Sequence, residues 1–239
     1  MTGGDPDVIL RVNQLNKRYR GVHAVRNASL SVRRGEVLGL IGPNGSGKTT
    51  LFGCLGGILP YESGSIEVFT DTGRPALFYL PDAISPWPEQ SVAWALQFAE
   101  GFFHARGPIP SEWAARLGLA TILASPIGAL SKGQRKRALL AIALTAPHPI
   151  LLLDEPFDGL DLRQTREVAS LLRLVAATGR TLFLSIHQIA EAARVCDRFV
   201  LLSEGTVRGE GTFEQLAARM PQGNSSDADT LENVFLALT

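Results

Sequence analysis

Eight consecutive residues, Gly42-Pro43-Asn44-Gly45-Ser46-Gly47-Lys48-Thr49, carry the spacing G-x-x-x-x-G-K-[ST]. A loop of this composition is built to hold a chain of phosphates. Its glycines let backbone N–H groups face phosphate oxygens with no Cβ in the way. Lys48 has the charge and reach for the β- and γ-phosphates, and Thr49 offers a hydroxyl to Mg²⁺. The loop needs a strand before it and a helix after it. Val37–Ile41 is an apolar run of strand character, and Thr49–Leu55 reads as a helix whose N-terminus favours anions. Gly42, Asn44, Gly45, Ser46, Gly47, Lys48, Thr49 and Thr50 are therefore the candidate phosphate-binding residues.

A second acidic pair follows far along the chain. Ile150-Leu151-Leu152-Leu153 is a buried-type strand ending in Asp154 and Glu155. Alone, such a run is an ordinary strand end. Beside a phosphate loop it acquires chemistry: Asp154 can hold Mg²⁺ through the water shell of the ion, and Glu155 can polarise a water as general base.

The elements that must position these groups follow from periodicity. Apolar runs with strand character recur at Val37–Ile41, Ile150–Leu153, Thr181–Ile186 and Phe199–Leu202. Segments of helical spacing, Lys132–Thr145 and Leu162–Ala177, lie between the later runs. Continuous apolar strands alternating with helices predict a parallel sheet covered on both faces. Val8–Leu15, Ala28–Arg33 and Ser63–Val68 differ in texture and predict a small antiparallel sheet. From Ser85 to Leu130 the pattern is helical and broken by Pro86, Pro88, Pro108 and Pro110, which predicts a helical insertion. Pro221–Asp229 reads as a linker, leading to a short helix with Leu231, Phe235 and Leu238 on one face.

Composition bounds the rest. The 239 residues are 45% hydrophobic, enough for a substantial core. The 23 basic and 23 acidic side chains cancel, which argues against nucleic acid as a partner. Two cysteines without CxxC spacing predict reduced thiols rather than a disulfide scaffold or metal site, and Cys54 reads as core packing. The opening MTGGDPDVIL lacks the charge and apolar core of a signal peptide. No apolar stretch approaches the ~20 residues that span a bilayer. The expectation is a soluble or peripheral protein in a reducing compartment.

At this point the residues resemble the nucleotide-binding subunits of ABC transporters. Gly42–Thr50 resembles the Walker A loop, Ile150–Glu155 with Pro156 the Walker B strand, and Leu130-Ser131-Lys132-Gly133-Gln134 the signature motif. Asp158-Gly159-Leu160-Asp161 is similar to the D-loop. His187 is similar to the switch histidine, with Gln188 to Ala192 resembling the helix that follows it. Tyr19 stands where the family has an adenine-stacking aromatic, and Val25 goes with it on the nucleotide side. The resemblance implies an α/β P-loop NTPase core with a mainly parallel sheet, a small N-terminal antiparallel β subdomain and an inserted helical subdomain at about 83–131. It implies an ATPase domain over 1–220, with 221–239 as linker and short C-terminal helix. It implies ATP and Mg²⁺ as ligands and catalytic roles for Glu155 and His187. Two copies would pack head to tail, so that Ser131, Gly133 and Gln134 meet the ATP held by the other copy. A separate membrane-spanning permease subunit would be energised by that cycle, at the cytoplasmic face of the membrane.

Two departures and several open alternatives remain. Lys132 stands where the family usually has Gly. Asp82, after the strand Ala76–Pro81, stands where it usually has Gln. Asp82 could still offer oxygen to the metal, and as an anion near Asp154, Glu155 and the phosphates it is expected to suffer like-charge repulsion; it could equally be a turn residue after Pro81. Tyr19 could be a sheet-edge aromatic and His187 a polar cap on its strand. Trp94, Phe98 and Phe102, at helical spacing, read as core more readily than as a docking surface. The stretch between Lys48 and Asp82 is short for the family, which implies a trimmed antiparallel sheet around Phe69–Arg74. The tail, from Cys196-Asp197-Arg198 to the end, is similar to exporter-type subunits, so export is expected over import. The alternative class is a soluble ABC ATPase that acts without a membrane partner, although there is one core, no long heptad run and no basic excess.

Overall fold

Side chains alternate across a strand, so a strand that is apolar at every position can stop only where both faces are covered. The computed structural model, which describes residues 7–69, 76–103, 111–220 and 230–239, arranges such strands at its centre. The N-terminal part runs β1 (Val8–Tyr19), β2 (Val22–Arg33), β3 (Val37–Ile41), α1 (Lys48–Leu55), β4 (Ser63–Val68) and β5 (Leu77–Leu80). The helical insertion supplies α2 (Val92–Phe103) and α3 (Ser111–Arg116), and then comes α4 (Lys132–Thr145). The chain continues through β6 (Ile150–Asp154), α5 (Leu162–Ala177), β7 (Thr181–Ile186), α6 (Ile189–Val195) and β8 (Arg198–Ser203). It closes with β9 (Thr206–Gly211), α7 (Phe213–Ala217) and α8 (Leu231–Leu238).

Among the described residues there are two sheets. One is antiparallel, in the order β2-β1-β4; the other has the order β5-β6-β7-β3-β8-β9. The pairs β5–β6, β6–β7, β7–β3 and β3–β8 are parallel, and β9 returns antiparallel along β8. The protein is thus a mixed α/β P-loop fold with a small antiparallel β subdomain, as the sequence predicts. The β9 return was not foreseen: TVRGEG contains too little apolar character to read as a strand, and its pairing with β8 across the Glu204–Gly205 turn decides it.

The central strands split their residues between two cores. Leu38, Leu40, Ile150, Leu152 and Phe183 pack with α1 and the antiparallel sheet. Val37, Ile41, Leu151, Leu153, Leu182 and Leu184 pack with α2, α4, α5 and α6. Phe52 on α1, fully buried, sets its ring edge-on against Phe183 at 4.8 Å between centroids. Helix α4 begins at a capping box in which Ser131 Oγ accepts from the Gln134 amide and Gln134 Oε1 accepts from the Ser131 amide.

The reading of Trp94, Phe98 and Phe102 as core is corrected. All three are exposed on α2, where Ala95, Leu96 and Ala99 take the inward face instead. Their rings stack in file, Trp94 on Phe98 at 5.2 Å and Phe98 on Phe102 at 6.1 Å, with Trp87 edge-on to Trp94 and Phe98. Cys54 is core, as expected. Most of the segment around Phe69–Arg74, and the linker 221–229, lie outside the described residues.

Candidate functional site

The strand order β5-β6-β7-β3 sets four C-terminal strand ends in a row. Ligands of open α/β sheets bind at this edge, outside the carboxyl ends of the strands. Each end delivers a residue singled out in the sequence: Asp82 beyond β5, Asp154 and Glu155 at the end of β6, His187 after β7, and Gly42–Thr50 after β3. A cleft of about 780 Å³ opens over them. Asn44, Gly45, Gly47, Lys48, Thr49 and Thr50 form its floor; Asp82, Glu155, Asp158 and His187 form one wall. The other wall, with Val22, His23, Ala24, Arg26, Glu204 and Gly205, comes from β2 and the β8–β9 turn.

The loop is held from behind. The Gly205 amide donates to the Ser46 carbonyl at 2.9 Å and the Arg26 amide to the Gly205 carbonyl at 2.7 Å. Gly47 has φ +105°, and a Cβ there would run into the carbonyl oxygen of Ala24, so only glycine fits at the start of α1. No side chain caps that helix, and Ser46 Oγ is buried without a hydrogen-bond partner among the described residues. Free N–H groups at a helix start, an unused hydroxyl and the Lys48 ammonium together suit a phosphate.

Opposite the loop, the acidic pair is tightly constrained. Asp154 is buried, and its carboxylate accepts from Ser185 Oγ and from Tyr79 OH at 3.3 Å. Burial, then the charge of Asp154 and the bond to it, push the Tyr79 phenol upward, so it remains a donor. Ser185 Oγ also accepts from the Glu155 amide at 3.0 Å. Glu155 has φ +48°, a left-handed conformation that costs a non-glycine residue roughly 1–3 kcal/mol and persists only where surroundings enforce it. Its two oxygens meet different partners: Lys48 Nζ at 3.5 Å from Oε1 and His187 Nδ1 at 2.7 Å from Oε2.

Other candidates are distributed unequally. Val25 is fully buried in the core beneath the antiparallel sheet and outside the cleft lining; β alternation turns it inward and leaves its neighbours Ala24 and Arg26 on the cleft. Tyr19 is exposed at the end of β1, outside the cleft lining, with Lys17 Nζ 5.0 Å from its ring centre. Ser131, Gly133 and Gln134 stand away from this cleft; a Cβ on Gly133 would meet the Gly159 carbonyl oxygen. The expected repulsion at Asp82 is corrected, because Lys136 Nζ lies 2.6 Å from its Oδ1. Neither that lysine nor the Ser185–Tyr79 cradle was singled out in the sequence. A lysine in a run of four cationic or amide side chains gives no signal that it is buried, and Ser185 lies within an apolar strand.

Fold and site together define a P-loop ATPase. The family model described as "ABC transporter" matches residues 25–158. The taurine import ATP-binding protein TauB of Escherichia coli K12 is 33% identical over 96% of this chain and 94% of its own length. A probable ABC transporter ATP-binding protein of Azorhizobium caulinodans is 32% identical over 85% of this chain and 77% of its own. Among solved structures, an ATP-binding subunit of an ABC transporter superposes with a TM-score of 0.84 at 25% identity, covering 96% of this chain and 99% of that one. A dimeric cassette in a post-hydrolysis state with ADP and Pi superposes at 0.75 with 23% identity, covering 85% and 98%. The chain belongs to the ABC transporter family, as its ATP-binding, ATP-hydrolysing subunit.

The Ser185 hydroxyl serves both acidic residues, so its loss should be felt in stability. Ser185→Ala is expected to cost about 1.5–3 kcal/mol, the worth of a hydrogen bond to a charged group. Urea unfolding of the two proteins measures it; equal midpoints would mean that Asp154 is satisfied without Ser185.

Proposed function

We propose that this subunit powers an importer, docked as a pair of identical copies on a membrane-spanning permease at the cytoplasmic face. The observation that carries the direction of transport is the likeness to the taurine import ATP-binding proteins, which spans 96% of this chain and 94% of theirs. The tail that suggested export therefore gives no reason to prefer it, and the export expectation is withdrawn. Among the described residues no helix is long and apolar enough to cross a membrane, in keeping with a subunit that relies on a separate one for the path. The proposed units are the ATPase domain over 1–220, with the helical insertion at about 83–131, and the segment 221–239.

The chemistry proposed for the cleft follows from its partners. Backbone N–H groups of the loop and the Lys48 ammonium bind the β- and γ-phosphates. Thr49, Asp154 and the remaining oxygen of Asp82 would hold Mg²⁺, which supplies charge neutralisation on the phosphates. Glu155, held by Lys48 and His187, takes a proton from water as the water oxygen bonds to the γ-phosphorus and the bond to the bridging oxygen breaks. His187 keeps the carboxylate aimed. Ser131, Gly133 and Gln134, remote from their own cleft, are left to serve the ATP of the second copy, where the N-terminus of α4 favours anions. Tyr19 would swing its ring onto adenine.

Glu155→Gln should keep ATP binding while turnover falls at least about 100-fold, the lower end of a general-base contribution. Phosphate release beside binding of a fluorescent nucleotide checks both; undiminished turnover removes Glu155 from the reaction. Tyr19→Ala should weaken ATP by roughly 1 kcal/mol, the scale of an aromatic stacking contact. An unchanged affinity by calorimetry leaves Tyr19 a structural aromatic.

Direction and docking are tested together. The permease is to be sought among membrane proteins that co-purify with this chain and reconstituted with it in proteoliposomes. ATP supplied on the side of this subunit should drive solute away from the membrane partner's outer face and toward the ATP side. Crosslinks from the permease are expected within Ser85–Phe103, around the exposed Trp87, Trp94, Phe98 and Phe102 file. Such aromatic clusters suit interface hot spots. Movement in the opposite direction, or crosslinks that avoid the segment, would overturn the corresponding half of the proposal.

A further inference from the structure

Lys136 is the least expected charge in the molecule. It lies on α4, its side chain is 4% exposed, and its Nζ reaches two different elements. It pairs with Asp82 Oδ1 at 2.6 Å, in the loop beyond β5, and donates to the carbonyl oxygen of Asp154 at 3.3 Å, at the end of β6. One turn earlier on the same helix, Lys132 pairs with Asp158 at 2.5 Å. Asp82 and Asp158 both line the nucleotide cleft. The start of α4 is therefore tied by two cations to two carboxylates of its own cleft.

The two ties are unequal. Lys132 is 62% exposed, and an ion pair in water holds little, because either side chain can leave at small cost. Lys136 cannot. A buried ammonium that loses its carboxylate stays uncompensated in a low-dielectric surrounding. When Asp82 shifts, Lys136 must follow or stand unpaired, and it carries the first turns of α4 with it. The bond to the Asp154 carbonyl adds the strand end that bears Glu155 to the same frame.

We infer that Lys136 is a positioning residue, which locks the Asp82 loop and the Asp154–Glu155 strand end to the first turns of α4 so that the cleft and the Ser131–Gln134 segment move as one. The pairing also accounts for an aspartate at 82: with a lysine buried opposite, a neutral amide at that place would leave the charge unbalanced. The inference rests on Glu155 being the group that activates water, and its test separates the two.

The test uses the purified full chain and four variants: Lys136→Met, Lys136→Arg, the double Asp82→Asn/Lys136→Met, and Glu155→Gln as control. Steady-state kcat and KM, affinity for a fluorescent ATP analogue, half-saturating Mg²⁺ and melting temperature are measured for each. Lys136→Met should lower kcat about 10- to 100-fold, the range for losing an outer partner that orients a site, with analogue affinity unchanged. Lys136→Arg, which keeps charge and donors, should restore most of the turnover. The double variant carries no charge at the 82–136 pair and should melt like the parent, yet keep the low kcat at saturating Mg²⁺, with a raised half-saturating Mg²⁺ because the Asp82 carboxylate is lost from the metal. It also provides the reading if Lys136→Met does not fold. Parental kcat in Lys136→Met or in the double variant overturns the inference, as does equal loss in Met and Arg. A dead Glu155→Gln beside an active Lys136→Met fells the inference alone; an active Glu155→Gln fells the reading of the site with it.

Discussion

A carboxylate taken out of water must find donors or the strand that carries it will not stay buried. Asp154 sits at the end of β6 with almost no exposure, and the donors it finds are Ser185 on β7 and Tyr79 on β5. Those two strands are the neighbours of β6 in the sheet. The central parallel ladder and the acidic pair are thus one construction: the register of β5, β6 and β7 brings the donors, and the donors make the carboxylate tolerable there. Ser185 then reaches one residue further, to the Glu155 amide, and helps hold it in the left-handed conformation that turns its side chain toward Lys48 and His187.

The zero net charge of the chain hides a strongly organised charge pattern. Around the cleft three carboxylates have a cation opposite: Glu155 has Lys48, Asp82 has Lys136 and Asp158 has Lys132. For Asp158, burial pushes the group upward, but the bond to Lys132 and its charge outweigh it and hold the carboxyl below the usual range. Pairing of this kind lets acids and bases crowd a site that must also admit a polyanion. It also means that the arrival of phosphates competes with internal pairs, so a change at the cleft is felt by the elements the cations sit on.

The chain leaves two surfaces that its own cleft does not take up. One is the first turn of α4, where Gly133 lies against Gly159 and Ser131 and Lys132 are exposed. The other is the file of exposed aromatics on α2 and Trp87. The aromatic file is the one that is costly to leave in water. Both surfaces fit a subunit whose function is completed by other chains, as membership of the ABC transporter family implies.

Particular residues show what the sequence alone makes legible. The phosphate loop, the acidic pair, and the helices Lys132–Thr145 and Leu162–Ala177 were readable in full, because each is a local pattern: a spacing of glycines, a run of apolar side chains, a helical period between a cap and a breaker. Val25 lies in the core while Ala24 and Arg26 line the cleft, because a one-position shift along a strand reverses which face a side chain takes, and sequence alone does not fix that face at a strand apolar on one side and half-wet on the other. The aromatics of α2 read as core because bulk and period suggest burial, and only the packing of Ala95, Leu96 and Ala99 turned them outward. Asp82 looked exposed to repulsion because its partner Lys136 is far away in sequence. Sequence determined which groups could do chemistry and on which kind of element each sits. The tertiary structure decided which groups face each other, since a pairing between distant residues is a property of strand order and helix docking, not of any stretch of chain.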